Sequence, residues 1–468
     1  YFNDDYESGY SEEETKSKIN TCKEYINSGQ ALTNLDFIED TIQLCLEYDL
    51  TEDGLELVNS ILELAPYNSE AWQFRGIFLN NSFIFDEAYK SFQKALSLNP
   101  NDVESHINIS IAEDNLGMFD EAVESLQKAL TLDPSNEETL FSLGVLYEKK
   151  EKFPEAIAYF KKVIAKDSFY VEALYELGYC YENLNEYIPA LNAYERYLDH
   201  EPESFTAWYN KGIIYLRLEL YEKALNAFEL SIALKDDFAS SWFNSAYSYY
   251  KLGKVDDAIA NYKKAAELDP FDETIFYNMG QAYEDLNNHT SAIKFYTEAI
   301  KLDSSYYEAF LARGYCYDAV GKYQLALKDF NKAIALTGDQ EDAWFAKADL
   351  EYALGMLHES IESYKKATDV NPENFNSWYK LAETYFEAGM WLDSLKAFEQ
   401  GLLLKPNHAA SFYHKAKINF ILSQTHEAIE CLKNAFKLDP GIKNEFTRDY
   451  PDVKSSKLFI KLLEENKS

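Results

Sequence analysis

Two kinds of side chain recur in this sequence at spacings that suit recognition of another polypeptide. Tyrosines recur at intervals of 68 residues and asparagines at intervals of 34, and these residues are Tyr179, Tyr247, Tyr315, Asn210, Asn244 and Asn278. The face of a tyrosine ring attracts lysine and arginine. An asparagine amide offers both a donor and an acceptor to an extended main chain. The pattern therefore favours a peptide-binding surface over a catalytic centre.

The interval of 34 residues points to a repeated helical hairpin. Residues 69–102 contain two helical patterns with one small or apolar face each, formed by Trp72, Gly76 and Leu79 in the first and by Ala88, Phe92 and Ala95 in the second. A turn signal at 80–82 separates the two patterns, and Pro100 ends the second. A single hairpin of this kind cannot cover its own apolar face, so it must pack against further copies of itself.

Further copies follow without a gap. The position of Ala88 is always small, with Ala122, Ala156, Ala190, Ala224, Ala258, Ala292, Ala326, Ser360, Ser394 and Ala428. The position of Phe92 is always large and apolar, with Leu126, Phe160, Tyr194, Phe228, Tyr262, Tyr296, Phe330, Tyr364, Phe398 and Leu432. These columns stay in phase through eleven copies that end at Ile442, and a degenerate twelfth copy occupies 35–68.

The columns resemble the tetratricopeptide repeat family, whose period and W…LG…Y…A…F…P signature match. The resemblance implies an all-α fold, an α-solenoid in which antiparallel helix hairpins of 34 residues stack into a right-handed superhelix. We expect three regions: an acidic N-terminal arm and capping helix at 1–34, twelve tandem repeats at 35–442, and a C-terminal capping helix at 443–468.

In this family the first helix of each hairpin lines a concave groove, and the resemblance places the recurring tyrosines and asparagines there. Tyr250, on the same helical pattern as Tyr247, joins them as a candidate contact. An asparagine ladder at the position of Asn244 also occurs in the O-linked N-acetylglucosamine transferase, where it holds a peptide backbone. Carboxylates share the predicted wall, which suits a basic or aromatic segment. Alternatively, the aromatic residues, above all those in register with Gln73, pack against the neighbouring hairpin.

The charge balance limits the class of partner. Lysine and arginine number 44, aspartate and glutamate number 80, and the net charge is −36. Nucleic acids and anionic membranes require a cationic surface, which this composition does not offer. A neutral to basic protein or peptide fits the charge, although the same charge also serves simple solubility.

Motifs for other chemistry are absent from the sequence. The five cysteines form neither a CxxC pair nor a cluster with histidine, which argues against a metal site and suits a reducing, cytoplasmic compartment. The question whether a leader peptide precedes Tyr1 is left open. The sequence contains no phosphate loop, nucleophile elbow or HExxH motif. We predict a non-enzymatic interaction scaffold without cofactor or metal. Two alternatives stay open: a structural repeat protein that self-associates, and an adaptor subunit of a larger complex.

Overall fold

The computed structural model describes residues 12–338, 340–451 and 459. These residues form 26 α-helices and one short 3-10 helix, and they contain no β-strand. The chain divides into two compact units, residues 1–220 and 221–468. Both units consist of consecutive helices joined by short loops, which confirms the predicted all-α fold of stacked helix hairpins.

The first unit contains twelve of the α-helices. They are α1 (Glu12–Asn27), α2 (Leu35–Glu47), α3 (Thr51–Leu64), α4 (Ser69–Asn81), α5 (Phe85–Leu98), α6 (Val103–Asn115), α7 (Phe119–Leu132), α8 (Glu137–Lys149), α9 (Phe153–Lys166), α10 (Val171–Asn183), α11 (Tyr187–His200) and α12 (Phe205–Arg217). The 3-10 helix, Ala31–Asn34, lies between α1 and α2. Consecutive helices pair into hairpins, and the first helix of one hairpin packs on the first helix of the next, as α4, α6, α8 and α10 do.

The second unit continues the same construction. Its helices are α13 (Tyr221–Leu234), α14 (Ala239–Lys251), α15 (Val255–Leu268), α16 (Glu273–Asp285), α17 (His289–Leu302), α18 (Tyr307–Ala319), α19 (Tyr323–Thr337), α20 (Glu341–Ala353), α21 (Leu357–Val370), α22 (Phe375–Glu387), α23 (Trp391–Leu404), α24 (Ala409–Ile421), α25 (Thr425–Leu438) and α26 (Ile442–Asp449). The hairpins run from α14/α15 to α24/α25, and the first helices α14, α16, α18 and α20 contact one another in order.

Several hairpins close by packing an aromatic ring of the second helix on a glycine of the first. A Cβ atom on Gly144 would lie 2.5 Å from Cε1 of Phe160, and a Cβ atom on Gly280 would lie 2.5 Å from Cε1 of Tyr296. Both rings are fully buried. The ring occupies the volume that any larger side chain would need, so packing, rather than backbone conformation, requires glycine here.

Tryptophan at the start of a repeat ties the hairpin to the loop before it. The indole N–H of Trp72 donates to the carbonyl oxygen of Pro66 at 3.0 Å. The same bond, to the carbonyl six residues earlier, is made by Trp208, Trp242 and Trp378. His106 takes the place of tryptophan in its repeat, and its Nε2 lies 3.0 Å from the carbonyl oxygen of Pro100. His106 is buried, so it has a structural role.

The ends of the described chain are closed by apolar contacts. Ile19 and Cys22 of α1 are buried together with Ile38 of α2. At the other end, the rings of Phe446 in α26 and Phe459 lie 5.7 Å apart. The predicted arm, residues 1–10, lies outside the described residues, and so does the part of the predicted capping helix at 443–468 that follows residue 451, apart from Phe459. None of the described helices combines the length and the apolarity that a membrane crossing requires.

Candidate functional site

The predicted contact residues all lie on the first helices of hairpins. In the first unit, Tyr179 is on α10 and Asn210 is on α12. In the second unit they lie on three successive first helices, with Asn244, Tyr247 and Tyr250 on α14, Asn278 on α16 and Tyr315 on α18. Residues that share a repeat position in the sequence have different surroundings in the structure.

Three large apolar side chains at one repeat position, that of Ile77, remain exposed, and we call them the exposed column. Ile111 on α6 is 42% exposed, Tyr179 on α10 is 40% exposed and Tyr315 on α18 is 43% exposed. Tyr247 shares the position on α14 but is half-buried, with Nζ of Lys251 at 5.2 Å from its ring centroid. Each of these exposed side chains is a candidate contact within its own unit.

The three consecutive asparagines do not have equivalent surroundings. The side-chain amide of Asn210 donates to the hydroxyl oxygens of Tyr175 and Tyr194, at 3.1 and 3.2 Å. The amides of Asn244 and Asn278 instead donate to carbonyl oxygens one turn earlier on their own helices, at 2.9 and 2.8 Å. Asn210 is thus engaged between tyrosines of the preceding hairpin, whereas the bond donated by the Asn278 amide lies within its own helix.

The aromatic residues in register with Gln73 pack inside the stack. The ring of Tyr175 lies 5.2 Å from that of Tyr197. The ring of Tyr277 lies 4.9 Å from that of Tyr306. The first pair lies within one hairpin, between α10 and α11, whereas the second joins α16 to the residue that precedes α18. Tilted and edge-on ring pairs of this kind stabilise packing. These rings serve the fold, in agreement with the packing alternative for this column.

Tyrosines on the second helices use carboxylates of the predicted wall as acceptors. The hydroxyl of Tyr296 donates to Oε2 of Glu284 at 2.6 Å. The hydroxyl of Tyr262 is buried and has no partner among the described residues. In the repeat of Tyr262, the position that corresponds to Glu284 is occupied by Tyr250. The hydroxyl of Tyr250 donates to Oδ2 of Asp285 at 2.6 Å. The sequence analysis did not predict these hydrogen bonds. The signal that could have indicated them is the presence of tyrosine in some repeats and phenylalanine in others at the position of Phe92.

Two wall carboxyls in the first unit interact with each other. Glu148 on α8 and Glu176 on α10 are half-buried, and burial raises the pKa of both. The neighbouring charge of Glu176 raises the pKa of Glu148 further. The thiol of Cys180 lies 3.7 Å from Oε2 of Glu148. Like charges at short range disfavour double ionisation, so this part of the wall is less negative than its composition suggests.

A cavity of about 170 Å³ opens between α6 and α8 in the first unit, and we call it the α6/α8 cavity. Its lining is mostly apolar and consists of Ser110, Ile111, Asp114, Leu126, Phe141, Ser142, Val145, Leu146 and Lys149. Ile111, at its edge, belongs to the exposed column. The sequence analysis did not identify this cavity, because its lining comes from three different helices.

Metal-binding geometry is not found in the described ranges, where no three His, Cys, Asp or Glu side chains are grouped closely enough to hold an ion. His414 on α24 stacks on Phe398 at 5.3 Å between ring centroids. Burial lowers the pKa of His414 to about 4. Its surroundings are those of a packed ring.

Profiles of known families match several parts of the chain. A TPR repeat profile matches residues 115–151, 246–287 and 348–389, and two tetratricopeptide repeat profiles match 274–306, 307–340 and 409–442. A profile of subunit 3 of the anaphase-promoting complex, or cyclosome, matches 149–231. A comparison with curated protein sequences finds no match.

Three of the matching solved structures cover different lengths of this chain, and they are compared with it by sequence identity, coverage and TM-score. A MamA protein is 30% identical and covers 35% of this chain and 95% of its own, with a TM-score of 0.34. The C-terminal part of a TPR repeat-containing protein from Cytophaga hutchinsonii is 19% identical, covers 52% of this chain and 99% of its own, and has a TM-score of 0.47. The APC/C hetero-tetramer Cut9-Hcn1 is 14% identical, covers 95% of this chain and 98% of its own, and has a TM-score of 0.38.

Stacked hairpins with a small column packed on an aromatic column define the class of helical repeat proteins. With the repeat profiles, they show that the chain belongs to the tetratricopeptide repeat family. Repeats of this family form scaffolds for protein–protein interaction.

Proposed function

We propose that this protein is a non-enzymatic scaffold that binds an extended peptide segment, or a partner domain, along the first helices of its repeats. The observation that carries the proposal is the exposed column. Its members, Ile111, Tyr179 and Tyr315, keep 40% or more of their side-chain surface in solvent at one repeat position. Covering such apolar surface with a partner is favourable, by about 25 cal/mol for each Å² buried.

Charge favours a partner that is neutral to basic. Glu138, Glu172 and Asp342 are exposed on first helices of the two units. Burial raises the pKa of the Tyr315 hydroxyl, and the nearby charge of Asp342 raises this pKa further. A lysine or arginine of a partner would pair with these carboxylates and lie against the tyrosine rings. Buried free thiols such as Cys22 and Cys180 suit a reducing compartment, and we place the protein in the cytoplasm.

The test is capture of partners from native cell extract by the immobilised full chain at low and at moderate salt. The variant Tyr179→Ala/Tyr315→Ala removes two rings of the exposed column. The matched control, Tyr67→Ala/Phe271→Ala, removes two rings that are 81% and 79% exposed in loops between hairpins. Partners that the control retains and the variant loses support the proposal, and weakening by salt supports the charge component.

Other outcomes would overturn the proposal. Partners that both variants retain would move the binding surface away from the exposed column. Partners that only the loop variant loses would place it at the loops between hairpins. An absence of partners, together with a dimer in light scattering, would favour self-association.

A further inference from the structure

The α6/α8 cavity is lined in part by a hairpin that departs from the pairing that closes its neighbours. In the flanking hairpins a phenylalanine ring covers a glycine, as Phe160 covers Gly144. The hairpin of α6 and α7 has Ser110 at the glycine position and Leu126 at the aromatic position. The Cβ and hydroxyl groups of Ser110 occupy space that a ring would need, and the leucine fills less volume than a ring. Ser110 and Leu126 both line the cavity.

Size and lining define what the cavity can hold. A dry cavity of about 150 Å³ lined by leucine, isoleucine and phenylalanine binds a molecule as large as benzene. The α6/α8 cavity is slightly larger, at about 170 Å³, and its walls include Leu126, Phe141, Val145 and Leu146. Because Ile111 at its edge is 42% exposed, the cavity is reached from the face that carries the exposed column.

Charged residues near the cavity are mainly acidic. At its edge, Nζ of Lys149 lies 2.8 Å from Oδ2 of Asp114, so this pair is internally neutralised. Glu104 precedes Ile111 by two turns on α6, and Glu138 precedes Val145 by two turns on α8, roughly 10 Å along each axis. These two glutamates are exposed, so they leave an excess of negative charge beside an apolar cavity.

We propose that the α6/α8 cavity is a socket for one aliphatic side chain, leucine, isoleucine or methionine, of an extended partner segment that carries lysine or arginine beside it. The inference rests on the proposed function, and it names the anchor residue and its flanking charge. The cavity supplies burial for the aliphatic group, and Glu104 and Glu138 attract the basic neighbours.

The experiment uses methyl NMR of the full chain with N-acetyl-leucinamide as the probe and N-acetyl-glycinamide as the control compound. Saturable shifts confined to the methyl groups of Ile111, Leu126, Val145 and Leu146, caused by the leucine compound alone, are expected. Shifts spread over both units, or no shifts, would overturn the socket.

Two variants test the location. Ser110→Gly/Leu126→Phe gives the hairpin of α6 and α7 the same glycine–phenylalanine pairing that Gly144 and Phe160 form in the next hairpin. This variant should abolish the shifts without loss of helical content. Val145→Tyr, which places at the edge the residue found at Tyr179, serves if the double variant does not fold, and should also abolish the shifts. Undiminished shifts in a folded variant would overturn the socket.

The flanking charge is tested with the tripeptide amides Ac-Lys-Leu-Lys-NH₂ and Ac-Glu-Leu-Glu-NH₂. Two exposed charge pairs should make the lysine peptide bind about two- to fivefold more tightly at low salt, with a smaller difference at moderate salt. Equal affinity would overturn the basic character of the partner.

Failure of the socket and failure of the proposed function give different results. Binding of N-acetyl-leucinamide does not require a natural partner. It can therefore be observed even if partner capture proves independent of Tyr179 and Tyr315, and that result would support the socket and overturn the proposed function. Conversely, partner capture that depends on these tyrosines while leucinamide causes no shift would overturn the socket and leave the proposed function standing.

Discussion

The hydroxyl of Tyr296 donates a 2.6 Å hydrogen bond to Oε2 of Glu284. The equivalent hydroxyl one repeat earlier, that of Tyr262, is buried without a partner among the described residues. Burial raises the pKa of both phenols, so both stay protonated and available as donors at neutral pH. The same residue type at the same repeat position therefore contributes differently to stability.

Replacing each tyrosine by phenylalanine should separate the two cases. Tyr296→Phe removes a bond to a carboxylate that is half-buried, and should destabilise α16 and α17 by about 1–2 kcal/mol. Tyr262→Phe removes an unpaired buried hydroxyl, and should leave α14 and α15 unchanged or more stable. Hydrogen exchange followed by mass spectrometry measures each helix separately, since long repeat arrays lose cooperativity. Equal losses in both variants would contradict the difference in pairing.

Glycine substitutions should have opposite effects at two sites. In Gly144→Ala the new Cβ would lie 2.5 Å from Cε1 of Phe160, and forcing the ring away should cost about 1–3 kcal/mol. In Gly401→Ala the nearest atom, Cε2 of Phe375, would lie at 3.5 Å, an ordinary contact. That variant should gain up to about 1 kcal/mol from helix propensity. Hydrogen exchange of the helices that carry each variant checks the signs, and a destabilised Gly401→Ala would show that glycine is required at both sites.

Asparagine substitutions should separate a structural residue from a surface one. Asn210→Ala removes bonds to Tyr175 and Tyr194, and should lower the stability of α10 to α12 by about 1 kcal/mol. Asn278→Ala removes a bond within its own exposed helix face, and should change stability by less than about 0.5 kcal/mol. Hydrogen exchange of the corresponding peptides provides the comparison. A peptide-holding role for Asn278 would appear as weaker partner capture with unchanged exchange.

The carboxyl pair Glu148 and Glu176 should make the stability of the first unit depend on pH. Because the pKa of each is raised, the folded state holds a proton more tightly than the unfolded chain. Stability contributed by this preference is complete below the ordinary glutamate pKa of about 4.3, and is lost as the pH rises through the raised values. Glu148→Gln should therefore flatten the decline.

The measurement for the carboxyl pair is the exchange of α8 and α10 amides as a function of pH, corrected for the intrinsic exchange rate. Glu155→Gln, which removes a carboxylate from an exposed position on α9, is the matched control. If the control flattens the decline as much as Glu148→Gln does, net charge rather than the pair is responsible.

Some of the candidate site could be predicted and some could not. Local periodicity placed Tyr175 and Tyr179 on one helix one turn apart. The ring of Tyr175 packs 5.2 Å from that of Tyr197, while Tyr179 remains 40% exposed. The sequence analysis favoured packing for the first and contact for the second, but the exposed fraction depends on the side chains of the next hairpin. Whether Tyr179 contacts a partner stays a prediction.

The sequence by itself determined the repeat, the helix pairs and the columns of small and aromatic residues, because helix periodicity and turn signals act within a few residues of each other. Only the tertiary structure decided that Asn210 lies between two tyrosines, that the Tyr262 hydroxyl has no partner among the described residues, and that a cavity opens between α6 and α8. Each of these depends on how side-chain volumes and polar atoms from different helices meet. The spacing of residues along the chain does not specify those meetings.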